Sequence, residues 1–162
     1  MVTILLVAGG SILAVRCGPE GTAGPFSIQD HGLAYTAELV ESGPEILIGT
    51  VTISNRGLVP RTLRFPDPCV AMFRFHDRAQ RPVWDQHPTN KTCVPPGIDV
   101  VLEPGEAREF ERFAYAPAIL TASDLPGGRY RIVLYVRPDG REVTLELGEV
   151  ELLRPPPFQE QR

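Results

Sequence analysis

Residues 125–136, LPGGRYRIVLYV, carry the clearest strand signal of the chain. Apolar side chains recur at alternate positions, namely Tyr130, Ile132, Leu134 and Val136. Because successive side chains of a strand point to opposite faces, these four would share one face of a sheet. The stretch Gly128-Arg129-Tyr130 is typical of a tyrosine corner, in which the hydroxyl bonds the connection before the strand. We therefore predict a strand whose start is tied down by Tyr130.

The same alternation recurs from residue 27 onward, in short runs separated by turn residues about every 8 to 15 positions. Residues 33–39 predict the first strand, and residues 47–53 predict the next. Residues 117–124 predict one or two helical turns, because Pro117 suits a first helical position. This pattern favours an all-β fold over a parallel α/β sheet. We predict an antiparallel immunoglobulin-like β-sandwich of about eight or nine strands with at most one short helical turn.

Two irregularities are expected within the strands. Pro60 lies inside the run LVPRTLRF and cannot donate a backbone hydrogen bond, so it indicates an edge strand or a bulge. Near the end of the chain the apolar positions change parity after Gly148. A change of parity within one strand predicts a β-bulge at that glycine.

Length and charge limit the function classes. The 162 residues suffice for one domain with a sizeable core. Lys and Arg number 16 and Asp and Glu number 20, which gives a net charge of −4. A chain of this charge has no field that would attract nucleic acid or an anionic membrane surface. We therefore expect no nucleic-acid partner.

The N-terminal residues have the features of a leader peptide. Residues 2–15 are uncharged and largely apolar, too short to span a bilayer and of signal-peptide length. Cys17 follows as a lipidation candidate, although no cation precedes the run and Arg16 departs from the lipoprotein pattern; a buried first strand is the alternative. We predict a leader and tether over 1–24, a sandwich domain over 25–153 and a disordered proline-rich tail over 154–162.

The chain has three cysteines, and their pairing indicates the compartment. If Cys17 carries lipid or is cleaved away, Cys69 and Cys93 remain as a disulfide pair. The strand, turn and loop between them are able to return the chain to its start. A zinc site made of Cys69, His76, His87 and Cys93 is a rival, but it lacks the closely spaced ligand pairs of structural zinc sites. Two free buried thiols in a cytoplasmic protein are the third interpretation.

No catalytic motif occurs in the sequence. It contains no G-x-S-x-G elbow, HExxH, Walker loop or dinucleotide fingerprint. The three histidines, His31, His76 and His87, are isolated in the sequence. We therefore expect each to be a surface residue rather than a general base. Glu103, Glu106, Glu109 and Glu111 alternate with Arg108 and Arg112, which predicts a solvated strand rather than paired acids. We therefore expect a chain that is not an enzyme and needs no metal or cofactor.

A contact surface is expected around residues 85–97, DQHPTNKTCVPPG, the longest stretch without periodicity. The candidate partner-binding residues are Trp84, His87, Asn90 and Lys91. A single tryptophan in a sandwich is usually a core residue, but beside a loop it also suits an anchor for a partner. Asn90-Lys91-Thr92 is a glycosylation sequon that matters only in a eukaryotic secretory pathway.

The order of these signals resembles the BsuPI-type intracellular proteinase inhibitor family over about residues 45–137. The segments that carry the resemblance are TISNRG, PRTLRF, FRFHDRAQRPVW, LEPGE, EFERFAY and LPGGRYRI. The matching positions are Asn55, Leu63, Phe65, Val83, Trp84, Leu102, Pro104, Gly105, Glu106, Gly128 and Tyr130. That family is a bacterial immunoglobulin-like β-sandwich, so the resemblance implies the same fold. It also implies protease inhibition, although no inhibitory residue maps to a position in this chain.

The chain departs from the family pattern at two exposed connections. DQHPTNKTC replaces the polar and aromatic segment after Trp84, and PDPC introduces Cys69 before the middle strand. We expect a monomeric, exported cell-envelope module that binds an unknown protein partner, with a membrane tether through Cys17. The alternative is a protease inhibitor that acts through residues 85–97. A cytoplasmic location is the alternative to export.

Overall fold

Short antiparallel strands build the molecule, as the alternation of apolar residues predicts. The computed structural model describes residues 26–42, 45–89 and 93–153. Its strands are β1 (Phe26–Asp30), β2 (Leu33–Ser42), β3 (Ile46–Asn55), β4 (Arg61–Phe65), β5 (Ala71–His76), β6 (Pro82–Asp85), β7 (Ile98–Leu102), β8 (Ala107–Tyr115), β9 (Gly128–Val136) and β10 (Val143–Leu152). Two short helices, α1 (Gln86–Thr89) and α2 (Ala116–Ala122), and a 3-10 turn at Pro138–Gly140 complete the described part. The predicted leader, tether and tail lie outside the described residues.

The strands form two four-stranded antiparallel sheets and one small sheet. The orders are β1-β2-β3-β8, β10-β9-β5-β6 and β4-β7. Side chains from all three sheets meet in one hydrophobic core. The all-β sandwich prediction is therefore confirmed, and the predicted helical segment is present as α2. The predicted limits of eight or nine strands and one short helical turn are wrong, because the described residues form ten strands and two short helices.

Strand β9 lies inside its sheet between β10 and β5. The four alternating residues of β9 are buried, as predicted. The hydroxyl of Tyr130 donates a hydrogen bond to the carbonyl oxygen of Pro126 at 2.6 Å. The tyrosine corner is therefore confirmed, and it ties the start of β9 to the connection from α2.

Both predicted irregularities are present. The pairing of β10 with β9 shifts between Glu146 and Gly148, and Gly148 has a φ of 100° that favours glycine. The bulge keeps Leu147 and Val150 on the buried side of the strand although their spacing is odd. After Pro60, β4 pairs with β7 alone in the small sheet.

Two elements were not predicted. Strand β1 pairs with β2 from Phe26↔Ala37 to Asp30↔Leu33. Strand β1 has only five residues, none of them buried, and its alternation rests on two apolar residues, Phe26 and Ile28, too few to predict a strand. Helix α1 is a single turn within residues 85–97, a stretch that lacks periodicity.

A glycine controls the distance between the two large sheets. Gly49 on β3 faces the ring of Phe73 on β5, and a Cβ at Gly49 would lie 2.8 Å from Cζ of Phe73. Phe73 is fully buried, so its ring has no room to move away. The absence of a side chain at Gly49 therefore lets the sheets pack at this spacing.

Candidate functional site

Cys69 and Cys93 form a disulfide. Their Cα atoms are 5.4 Å apart. Cys69 lies immediately before β5, and Cys93 packs against Met72 and Tyr135 on the outer face of the β10-β9-β5-β6 sheet. The predicted disulfide is confirmed, and the interpretation with two free thiols is wrong. Because both sulfur atoms are in a covalent bond, neither is a thiolate ligand for the rival zinc site.

The side chain of Gln86 links the two large sheets beside the disulfide. Its Oε1 accepts a hydrogen bond from the backbone N–H of Phe73 at 3.2 Å. Its Nε2 donates to the carbonyl oxygen of Phe113, on edge strand β8, at 2.9 Å. The hydrogen bond to Phe73 is buried, and the one to Phe113 is partly buried. The segment that follows β6 therefore closes the side of the sandwich between β5 and β8.

A short loop protrudes after Cys93, and we call residues 94–97 the presented loop. Cys93 is buried, whereas all four loop residues are exposed and Val94 is 54% exposed. At the other end, a Cβ on Gly97 would lie 2.2 Å from the carbonyl oxygen of Phe65. Only glycine permits that approach. The presented loop is thus held at one end by the disulfide and at the other by contact with the end of β4.

His87 is tied to the residues around the disulfide. Its Nε2 lies 2.9 Å from Oδ2 of Asp67. The other oxygen of Asp67 accepts a hydrogen bond from the backbone N–H of Cys69 at 2.8 Å. Asp67 is buried, with 4% of its surface exposed. His87, a predicted contact residue, therefore serves to hold the segment while part of its ring stays accessible.

A charged network anchors the start of this segment on the same sheet face. Arg74 donates to Asp85 at 2.8 Å and forms two hydrogen bonds with Glu142, at 2.6 and 3.0 Å. Tyr135 donates to Asp85 at 2.6 Å. The hydrogen bonds from Arg74 lower the pKa of Glu142 to about 2. Burial and the hydrogen bond to Asp85 raise the pKa of Tyr135.

Arg112 lies against the disulfide. Its terminal nitrogens are 3.9 Å from the sulfur atoms of Cys69 and Cys93. Within the described part of the chain its buried Nε has no hydrogen-bond partner. Burial lowers the pKa of the guanidinium.

The placement of Arg112 corrects the prediction of a fully solvated strand. Register pairs Arg112 with Gly49, so its side chain points to the inner side of β8. Glu109 and Glu111 do point outward and are exposed. The alternation of Glu and Arg in the sequence does not reveal this burial, because it depends on contact with the disulfide, which lies distant in the chain.

The other predicted contact residues differ in position. Trp84 is 9% exposed and packs on Phe75, with ring centroids 4.9 Å apart. This core position leaves little of the ring for a partner and argues against Trp84 as an anchor. Asn90 and Lys91 lie outside the described residues, as does Cys17.

Within residues 26–42, 45–89 and 93–153, no helix has the length and apolar character needed to cross a bilayer.

Comparisons with known proteins give only distant matches. No family model and no curated protein matches the chain. Among solved structures it is similar to part of a β-glucosidase from Erythrobacter marinus, at 15% identity and a TM-score of 0.43 over 75% of this chain. A β-glucosidase from Kluyveromyces marxianus shows 12% identity and a TM-score of 0.41 over 74% of this chain. The chain spans about 15% of the length of each of these enzymes.

Proposed function

We propose that this chain is an exported, non-catalytic β-sandwich module that binds a protein partner through residues 85–97. The presented loop is the observation that carries this proposal. It protrudes with Val94 exposed, and the disulfide and Gly97 hold its two ends. A loop held in one conformation loses little entropy on binding, so its contacts contribute more fully to affinity.

The disulfide supports the exported location. Disulfides persist in oxidising compartments and are rare in the cytosol. Export also fits the apolar run at residues 2–15, with Cys17 as the tether. Intact mass of the full-length protein, expressed in a bacterium with an envelope, tests this. Thiols are alkylated before any reduction.

We expect two cysteines to resist alkylation until reductant is added, on a chain cleaved or acylated at Cys17. Alkylation of all three cysteines on an uncut chain would overturn export. The chain would then be a cytoplasmic relative of the inhibitor family that it resembles.

Protease inhibition through the same residues is the second candidate function. The exposed loop, braced at both ends, favours it, because protease inhibitors present a backbone that moves little on binding. The resemblance to BsuPI-type inhibitors gives the same expectation. The partner would then be a protease whose cleft accepts Val94 and its neighbours.

Titration against serine proteases of the trypsin, chymotrypsin, elastase and subtilisin types separates the two candidates. Stoichiometric inhibition would favour the inhibitor, and Val94→Asp should then weaken it about tenfold or more. Val101→Asp is the matched control, because Val101 is a similarly exposed valine on β7. If none of these proteases is inhibited, the interaction module with another kind of partner is favoured.

A further inference from the structure

Four apolar side chains cluster on the outer face of the β1-β2-β3-β8 sheet. The register pairs Ile46 with Tyr115 and Ile48 with Phe113. Phe113 is 65% exposed, Tyr115 49% and Ile46 44%, and Ile48 is half-buried. Directly paired residues of adjacent strands have side chains in contact distance. The four therefore form one continuous surface, which we call the apolar end.

The apolar end differs from ordinary exposed apolar residues. Isolated ones are common, as Leu58 shows in the turn after β3. Contiguous exposed apolar surface on a protein usually marks an interaction site. Two of the four side chains here are aromatic, and aromatic residues are enriched where interfaces gain most of their energy.

An acidic band adjoins the apolar end on the same face. Glu109 and Glu111 continue the outward row of Phe113 on β8, at a spacing of about 7 Å. Glu38 lies on β2, opposite Thr50, which pairs in turn with Glu111. Among the outward-facing residues of the described strands of this sheet, none is Lys or Arg.

We propose that this face binds a cationic segment of a protein partner, with apolar side chains on the apolar end and adjoining Lys or Arg residues on the acidic band. This deepens the proposed function and rests on it, since it assumes that the chain works by binding. Charge complementarity selects the occupant. A second copy would cover the apolar end, but it would bring no outward cation from this sheet to the glutamates.

The face adjoins the start of residues 85–97. The carbonyl oxygen of Phe113, on the apolar end, accepts the hydrogen bond from Gln86. The backbone of the apolar end is therefore tied to the first residues of that segment.

Three synthetic peptides of equal length test the proposal by NMR titration of the labelled protein. The first has an apolar half of leucine and phenylalanine and a cationic half of lysine. The second replaces lysine by glutamate, and the third replaces the apolar residues by serine. We expect the first peptide to shift signals of β3 and β8 and to bind about tenfold more tightly than the other two.

Two variants locate the binding. Phe113→Ser and Glu111→Lys should each weaken the first peptide about tenfold. Leu58→Ser and Glu151→Lys are matched controls that should leave it unchanged, because both residues are exposed away from this face. Phe113 and Glu111 are exposed, so both variants should fold, and their NMR spectra verify this.

Three outcomes would overturn the proposal: equal binding of all peptides, binding insensitive to both variants, or a dimer in sedimentation that Phe113→Ser abolishes. The last would assign the face to a second copy. The protease and alkylation experiments report on Val94 and on the compartment. Failure of the peptide experiment therefore leaves the proposed function standing, and failure of those experiments leaves the peptide result standing.

Discussion

The core around β9 and the segment Asp85–Gly97 are held by different means. Around β9, buried apolar side chains alternate along paired strands, and backbone ladders satisfy the polar groups. Among its described residues after β6, 86–89 and 93–97, the segment has no such strand ladder. It is held by a disulfide, by the amide of Gln86 and by the Asp67–His87 pair. The core therefore depends on many small contributions, whereas the segment depends on a few specific bonds.

Removal of the disulfide should give the largest effect and break the segment selectively. The bond closes a loop with a sequence separation of 24, and we expect Cys69→Ala/Cys93→Ala to lower the free energy of unfolding by about 3 kcal/mol. Urea unfolding measures this loss. Amide hydrogen exchange should rise at Cys93, Val94 and Gly97 far more than in β9. Equal loss of protection in both regions would show that the segment and the core are one cooperative unit.

Gly49→Ala should lower the stability of the core and leave the segment Asp85–Gly97 unchanged. The new methyl group would meet the buried ring of Phe73, and such overpacking costs about 1–3 kcal/mol. Thermal or urea unfolding gives the loss. In a Phe73→Leu background the same change should cost less, because the shorter side chain relieves the clash. An equal cost in both backgrounds would mean that Phe73 is not the residue that excludes a Cβ.

Tyr130→Phe should cost less, about 1 kcal/mol, because it removes one partly buried hydrogen bond to Pro126 and leaves the ring in place. Tyr115→Phe is the matched control, since Tyr115 is half exposed. Unfolding in urea compares the two. A cost at Tyr115 equal to that at Tyr130 would show that the tyrosine corner contributes nothing to the stability of β9.

Sequence patterns predicted the core far better than the segment. Alternation placed Leu47, Val51 and the apolar residues of β9 on the inner faces, since a strand has a fixed period. The parity change at Gly148 and the tyrosine corner were visible because they are local. The disulfide was predictable because only one pairing remained after Cys17 was set aside.

The residues that hold the segment were not predictable in the same way. Gln86 forms hydrogen bonds with residues on two different strands. Asp67 pairs with His87, which is 20 residues away in the sequence. Arg112 depends on the pairing of β8 with Gly49. Such contacts follow from tertiary packing, which leaves no period in the sequence. Trp84 was ambiguous for this reason, and the fold places it in the core.

The charged network between core and segment should give the smallest effect and shows where the two regions meet. The pKa of Glu142 is lowered to about 2, chiefly by the hydrogen bonds from Arg74, so ionised Glu142 stabilises the folded state. That contribution is complete above the unfolded pKa, about 4.3, and is lost as pH falls through the folded pKa, about 2. Glu142 is partly exposed, so solvent screening keeps the contribution under about 1 kcal/mol.

Glu142→Gln should therefore lower the free energy of unfolding at pH 7, and the difference from the wild type should shrink as pH falls below about 4 and disappear only below about pH 2. Glu109→Gln, at an exposed carboxylate outside this network, is the matched control. Urea unfolding across this pH range measures both. Arg74 also forms a hydrogen bond with Asp85, at the start of the segment, and Asp85 accepts one from the backbone N–H of His87. Protection of the His87 amide from hydrogen exchange should therefore fall together with the free energy of unfolding. A loss of stability without any change in hydrogen exchange at His87 would show that the network stabilises the core alone.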